Sequence, residues 1–150
     1  MRIVIQRVSQ AEVKVEGKTV GAIEKGLLVL LGIENDDNYS DTEWMVNKLL
    51  NLRIFNDKNQ VMNCSVLDVQ GELMVISQFT LIAATKKGNR PSFISAARHE
   101  TALKLYEQFV SMSVQKLGKK IAKGIFGADM KVSLTNDGPV TIIIDSKNRE

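Results

Sequence analysis

A chain of 150 residues with 44% hydrophobic and 25% charged residues has the length of one domain and enough apolar content to bury a core. That composition argues against disorder, and a net charge of +3 permits an acidic partner without demanding one. The single cysteine, Cys64, excludes an intrachain disulfide and fits a reducing compartment. With no base beside it in the pattern, Cys64 reads as an ordinary small apolar residue. The opening Met-Arg-Ile-Val-Ile runs straight into a strand pattern and lacks the form of a signal or transit peptide. The longest apolar run, Leu27 to Leu31, is too short to span a bilayer. The expectation is a cytoplasmic protein with no membrane partner.

In chain order, Ala11 to Glu16 alternates apolar and polar residues, as a strand with one wet face does. Gly17 suits a tight turn. Val20 to Ile23 leads to a second turn at Lys25-Gly26. Leu27 to Ile33 is continuously apolar and predicts a strand buried on both faces. Ser40-Asp41-Thr42-Glu43 has capping-box spacing, which predicts a helix from Ser40 to about Asn51 that buries Trp44, Met45, Leu49 and Leu52. A short strand at Arg53 to Phe55, a turn at Asn56-Asp57 and a strong strand at Leu73 to Ser77 follow. Residues 83–93 hold Gly88, Pro91 and three cations and read as a loop. A second helix is predicted over about 96–117, with Leu103, Tyr106, Val110, Val114 and Leu117 as its apolar stripe. Gly118, Gly124 and Gly127 then break the chain. Two last strands, about 129–135 and 140–145, are expected to join through a turn at Asp137-Gly138-Pro139. The order predicts an α+β fold, a largely antiparallel sheet or barrel with two main helices packed on it.

Much familiar chemistry is missing. One histidine and one cysteine leave no set for a multi-histidine or thiolate metal site, and a Ser-His-Asp arrangement would have to use His99. His99 reads as a solvated residue at the start of the second helix. No metal and no cofactor are implied. Ser77-Gln78-Phe79-Thr80 closes a strand, and backbone amides at such a turn can serve an oxyanion. The same residues also fit a plain strand end with a buried Phe79. Thr80 is the obvious hydroxyl nucleophile, yet no base accompanies it. Two cationic clusters, Lys86, Lys87 and Arg90, then Lys116, Lys119, Lys120 and Lys123, suit phosphates or a solvated surface equally. No aromatic residues interleave them as a stacking platform would require.

Five blocks in order cover nearly the whole chain: Gln6-Arg7-Val8, Ser77 to Leu81, Lys87 to Phe93, Gly124 to Met130 and Asn136 to Thr141. Together they resemble the D-aminoacyl-tRNA deacylases, enzymes of chiral proofreading. The resemblance implies hydrolysis of the ester between a D-amino acid, or glycine, and tRNA. It implies that Ser77, Gln78, Phe79 and Thr80 line the pocket for the 3′-terminal adenosine and its ester. It further implies a cis Gly138-Pro139 bond whose carbonyls reach the active site of a partner subunit in a homodimer. There they capture the α-ammonium and leave no room for an L side chain. Arg7 is the residue that holds this unit, and Asn136 and Met130 join the substrate-binding set. Lys86, Lys87, Arg90, Lys119, Lys120 and Lys123 become the expected tRNA contacts, with no DNA partner. The chemistry is then carried either by Thr80 as nucleophile or by the ribose 2′-hydroxyl, which activates or orients the attacking water. On the residues alone, a non-catalytic tRNA-binding module and a small-molecule binding protein stay open.

Overall fold

The computed structural model describes residues 1–149. Its first strand, β1, runs unbroken over Arg2–Val15, because Ile3 and Ile5 alternate with Arg2, Val4 and Gln6 as a pleat requires. A turn at Glu16-Gly17 returns the chain as β2 (Lys18–Ile23), and β3 (Gly26–Gly32) follows, buried on both faces as its apolar run predicts. Helix α1 spans Tyr39–Asn51. Then come β4 (Phe55–Asn56), β5 (Met62–Cys64) and β6 (Glu72–Ser77). A 3₁₀ turn over Phe79–Ile82, helix α2 (His99–Leu117), β7 (Ala122–Lys123) and β8 (Met130–Asp145) complete the chain.

The main sheet runs β2-β1-β3-β6-β7, with β8 on the other side of β1. Pairings of β1 with β2, β3 and β8 are antiparallel, whereas β3-β6 and β6-β7 are parallel. The parallel steps are those that α1 and α2 cross between, since parallel neighbours need a long connection. The result is a mostly antiparallel, nearly closed, barrel-like sheet with two helices packed on it. Ile3, Ile5, Val29, Leu31 and Val75 face Met45, Leu49, Tyr106 and Phe109 in the sheet–helix core. Val8, Val13, Leu28, Met74 and Ile76 fill a second core inside the curled sheet.

The face that β1 turns to the helices changes along its length. Odd-numbered Ile3 and Ile5 lie in the helix-side core, but odd-numbered Ala11 and Val13 lie in the other. The switch coincides with irregular β1-β8 pairing between Gln6 and Gln10, where Gln6 stands opposite Thr141 and Val8 opposite Asn136.

Three local expectations are corrected. The α1 cap is Asn38, not Ser40: its side chain accepts from the Ser40 N–H at 2.8 Å, while Asp41 accepts from the Asn38 N–H at 3.1 Å. Asp41, rather than Glu43, closes the box because it stands three residues after the cap, and Lys147 also holds its carboxylate, at 2.9 Å. In α2 the deepest face is Leu105, Tyr106, Phe109, Met112 and Ser113, turned from the expected stripe, of which only Tyr106 is fully buried. Gly138-Pro139 joins no two strands. It lies inside the single 16-residue β8.

Candidate active site

Two separate constructions hold the residues singled out by the sequence. The first sits at the C-terminal end of β6. Ser77 ends the strand, and the Gln78 N–H donates to the Leu31 carbonyl at 2.8 Å. The chain then tightens into the 3₁₀ turn that packs on Gly32. A Cβ on Gly32 would come within 2.9 Å of Leu81 and 3.1 Å of the Gln78 carbonyl, so the turn can press this close only on glycine. The Gln78 amide donates to the Thr80 hydroxyl. N–H groups at the start of such a turn have no acceptor within it. Phe79 is 58% exposed and meets Phe93 edge-on, with ring centroids 5.0 Å apart. It is not the buried phenylalanine of a plain strand end.

Beside this turn opens a cleft of about 400 Å³. Ser77, Gln78 and Phe79 form one side, Phe126, Gly127 and Met130 another, and His99 and Ala102 come from the start of α2. His99 is exposed, but its ring packs edge-on against Phe126, with centroids 5.2 Å apart at 80°. It therefore belongs to the cleft, which its charged sequence surroundings did not reveal. Phe126 also meets Tyr106 at 5.4 Å. The Tyr106 hydroxyl donates to the Val75 carbonyl at 3.0 Å, and burial pushes it up to about 12.

The second construction is a bulge in β8. Four residues, Asp137 to Val140, stand opposite Arg7 alone. The Gly138-Pro139 peptide is cis, and Gly138 has φ +143°. Arg7 is only 9% exposed. Its Nε donates to the Asp137 carbonyl at 2.9 Å and its Nη1 to the Ile54 carbonyl at 2.6 Å, while the Asp137 carboxylate lies 3.6 Å away. Asn136 braces the other side. Its carbonyl oxygen accepts from the Val140 N–H at 2.8 Å, and its amide donates to the Thr141 hydroxyl at 2.9 Å. The bulge itself is exposed, and neither Gly138 nor Pro139 lines the chain's own cleft.

The structure thus gathers Ser77, Gln78, Phe79 and Met130 at the cleft, with Thr80 bonded to Gln78 at its side. It gathers Arg7, Asn136, Gly138 and Pro139 at the bulge. Lys86, Lys87 and Arg90 are exposed on a hairpin closed by paired Ala84–Ser92 hydrogen bonds of 2.8 and 2.9 Å. Phe93, next to that closure, touches Phe79, which ties the hairpin to the cleft. Lys119 donates to the Gln70 carbonyl at 2.7 Å, Lys120 is exposed and Lys123 lies in β7.

Among the described residues, one acidic group, Glu34, Asp36 and Asp37, has its oxygens within 4.8 Å of one another. Asp37 already accepts from the Met1 ammonium at 2.5 Å and from the Glu34 N–H at 2.7 Å. Lys147 lies 3.9 Å from Asp37 and 4.0 Å from Asp36, so the group reads as an internal ion network. No helix among the described residues is long and apolar enough to cross a membrane.

The family model described as D-Tyr-tRNA(Tyr) deacylase matches residues 4–145. The chain belongs to this family of hydrolases. It is 63% identical over 150 residues to a D-aminoacyl-tRNA deacylase of Flavobacterium psychrophilum, covering 100% of both chains. A relative of the same name from Bacteroides fragilis is 57% identical over 150 residues, again with 100% of both covered. A solved structure described as c-Myc DNA unwinding element binding protein superposes with TM-score 0.92 at 42% identity, covering 97% of this chain and 98% of that one. Another, of a probable eukaryotic D-amino acid tRNA deacylase, has TM-score 0.83 at 17% identity, covering 95% and 97%, and speaks for the fold alone.

Proposed function

We propose that the protein hydrolyses the ester of D-aminoacyl-tRNA, and of glycyl-tRNA, and that a homodimer assembles each site from the cleft of one subunit and the Gly138-Pro139 bulge of the other. The observation that carries this reading is the separation of the two constructions. A rigidly braced, exposed backbone bulge lies outside the lining of its own chain's cleft, and in this reading a second copy brings the two together. Two equivalent sites then follow from twofold symmetry.

In this reading the terminal adenosine enters the cleft, with its ester beside Gln78 and Phe79. Water attacks the ester carbonyl. Its oxygen bonds to the carbonyl carbon, and the negative charge that develops is met by N–H groups at the start of the 3₁₀ turn. The carbon–oxygen bond then breaks, a proton passes to the ribose 3′-oxygen, and tRNA and free D-amino acid leave. No base accompanies Thr80, whose hydroxyl is bonded by Gln78. The ribose 2′-hydroxyl therefore orients or activates the water. Carbonyls of the partner's bulge take the α-ammonium and occupy the space an L side chain needs, while a D side chain or the hydrogen of glycine is accepted.

Lys86, Lys87 and Arg90 beside the cleft, with Lys119, Lys120 and Lys123, take acceptor-stem phosphates. That contact follows backbone charge and needs no DNA partner or cofactor, and the enzyme works in the cytoplasm. The deciding experiment is deacylation of matched D- and L-tyrosyl-tRNA with light scattering on the same sample. Cleavage of the D ester alone by a dimer is expected. Equal rates on both esters, or a fully active L-rejecting monomer, refute the reading.

A further inference from the structure

His99 carries an inference that goes beyond the family's motifs. It is the first residue of α2, and the cap before it, Arg98, makes no side-chain hydrogen bond to the helix. Its placement is best explained by Phe126, whose ring it meets edge-on at 5.2 Å. Phe126 also meets, at 5.4 Å, Tyr106, which the Val75 carbonyl anchors in the core. Three rings thus form a strut from β6 across to the Gly124–Met130 segment.

That segment is one wall of the cleft, held at its ends by β7 and by Met130 at the start of β8. It contains one backbone turn bond, from the Ala128 N–H to the Ile125 carbonyl at 3.1 Å. At Gly124 the chain closes on Met130 so tightly that a Cβ would sit 2.2 Å from its sulfur. Gly127 has φ +78°, a conformation glycine adopts without penalty and other residues resist. With Ile125 nearly half exposed and glycine on both sides of the Ile125-Phe126 pair, Phe126 ties the middle of this wall to the sheet–helix core, as Met130 ties its end to the second core.

We infer that His99 is a positioning residue. Its ring buttresses Phe126 and thereby sets the width of the cleft for the terminal nucleoside of the substrate. The inference rests on the deacylase reading. It concerns binding and not the bond-breaking step, so the effect belongs in KM. An edge-to-face ring contact of ordinary strength corresponds to a change of about 2- to 10-fold.

The test is steady-state deacylation of D-tyrosyl-tRNA by wild type, His99→Ala, His99→Phe, Phe126→Leu and the His99→Ala/Phe126→Leu double variant. Thermal melts check that each is folded. Turnover by the wild type tests the deacylase reading separately. His99→Ala is expected to raise KM about 2- to 10-fold with kcat within about 2-fold. His99→Phe, which keeps a ring, is expected to restore KM. In the double variant the His99 change is expected to add nothing to Phe126→Leu, because its partner is already gone. Full additivity in the double variant overturns the inference, as does a loss confined to kcat or a failure of His99→Phe to restore KM.

Discussion

Arg7→Met removes the guanidinium while keeping much of the side chain's bulk. In the wild type that group donates to the Asp137 carbonyl at 2.9 Å and to the Ile54 carbonyl at 2.6 Å. Hydrogen bonds from a charged donor contribute roughly 1.5–3 kcal/mol each. Desolvation of the buried cation offsets part of this, leaving a net loss of about 2–4 kcal/mol. For a chain of 150 residues that is a fall in melting temperature of roughly 5–15 °C. The functional consequence is sharper than the thermal one. On the proposed function, the bulge without Arg7 loses its tether and yields to an L side chain. The ratio of D- to L-tyrosyl-tRNA cleavage should fall about 10- to 100-fold, or 1.4–2.8 kcal/mol of discrimination. Arg7→Lys should fall between, since one ammonium cannot reproduce a planar two-direction donor. Calorimetry and parallel assays on the two esters measure both effects. A destabilised Arg7→Met enzyme with the wild-type D/L ratio would refute the assignment of chirality to the bulge. An unchanged melting temperature would refute the estimate of what Arg7 holds.

Gly138→Ala should also weaken rejection of L-tyrosyl-tRNA, because its Cβ would stand 2.8 Å from the Val140 side chain and 3.1 Å from Arg7 Nη2, at φ +143°; the two-ester assay checks it. Thr80→Ala should keep much of its activity, whereas a substrate ending in 2′-deoxyadenosine should be cleaved slowly. A dead Thr80→Ala enzyme with an unaffected deoxy substrate would instead make Thr80 the nucleophile. Burial opposes ionisation of Asp41, but its bonds from Lys147 and the Asn38 N–H outweigh that and hold it below the ordinary value of 3.8. A depressed carboxylate stabilises the fold above its unfolded value and loses that contribution as pH falls through the folded one. Asp41→Asn should therefore melt below wild type at pH 7, with the gap closing below about pH 4 in melts across the acid range.

Elements with strong local patterns were legible. The unbroken apolar run of β3, the alternation at the end of β1 and the Leu73–Ser77 strand all appear where expected, because burial on one or both faces writes itself into neighbouring residues. What depends on distant partners was not. At the α1 cap, the Asp41 carboxylate that closes the box with Asn38 is shared with Lys147, more than a hundred residues away. The two-residue strand β7 exists through pairing with β6 and leaves no pattern of its own. His99 sits among charged neighbours in the sequence, so its packing on Phe126 could be found only in three dimensions. At the bulge, Asp-Gly-Pro carries the ordinary signature of a turn. Nothing local says that the strand resumes on the same line.

That resumption explains why Arg7 and the bulge belong together. Were Gly138-Pro139 a reversing turn, its geometry would be fixed by its own few residues, and Arg7 would be incidental. Instead β8 stays paired to β1 on both sides, with Thr141 opposite Gln6 and Asn136 opposite Val8. Four residues must then be accommodated where β1 supplies one. They loop out, and the residue left opposite them is Arg7, on the side of β1 that Ile3 and Ile5 turn to the helices. From there its guanidinium spans from the bulge to the Ile54 carbonyl just beyond α1. The projecting backbone is therefore clamped by the sheet at both ends and by a buried cation from beneath. The proposed discrimination by backbone shape requires that rigidity, because a loop free to move by an ångström would admit both hands of the substrate.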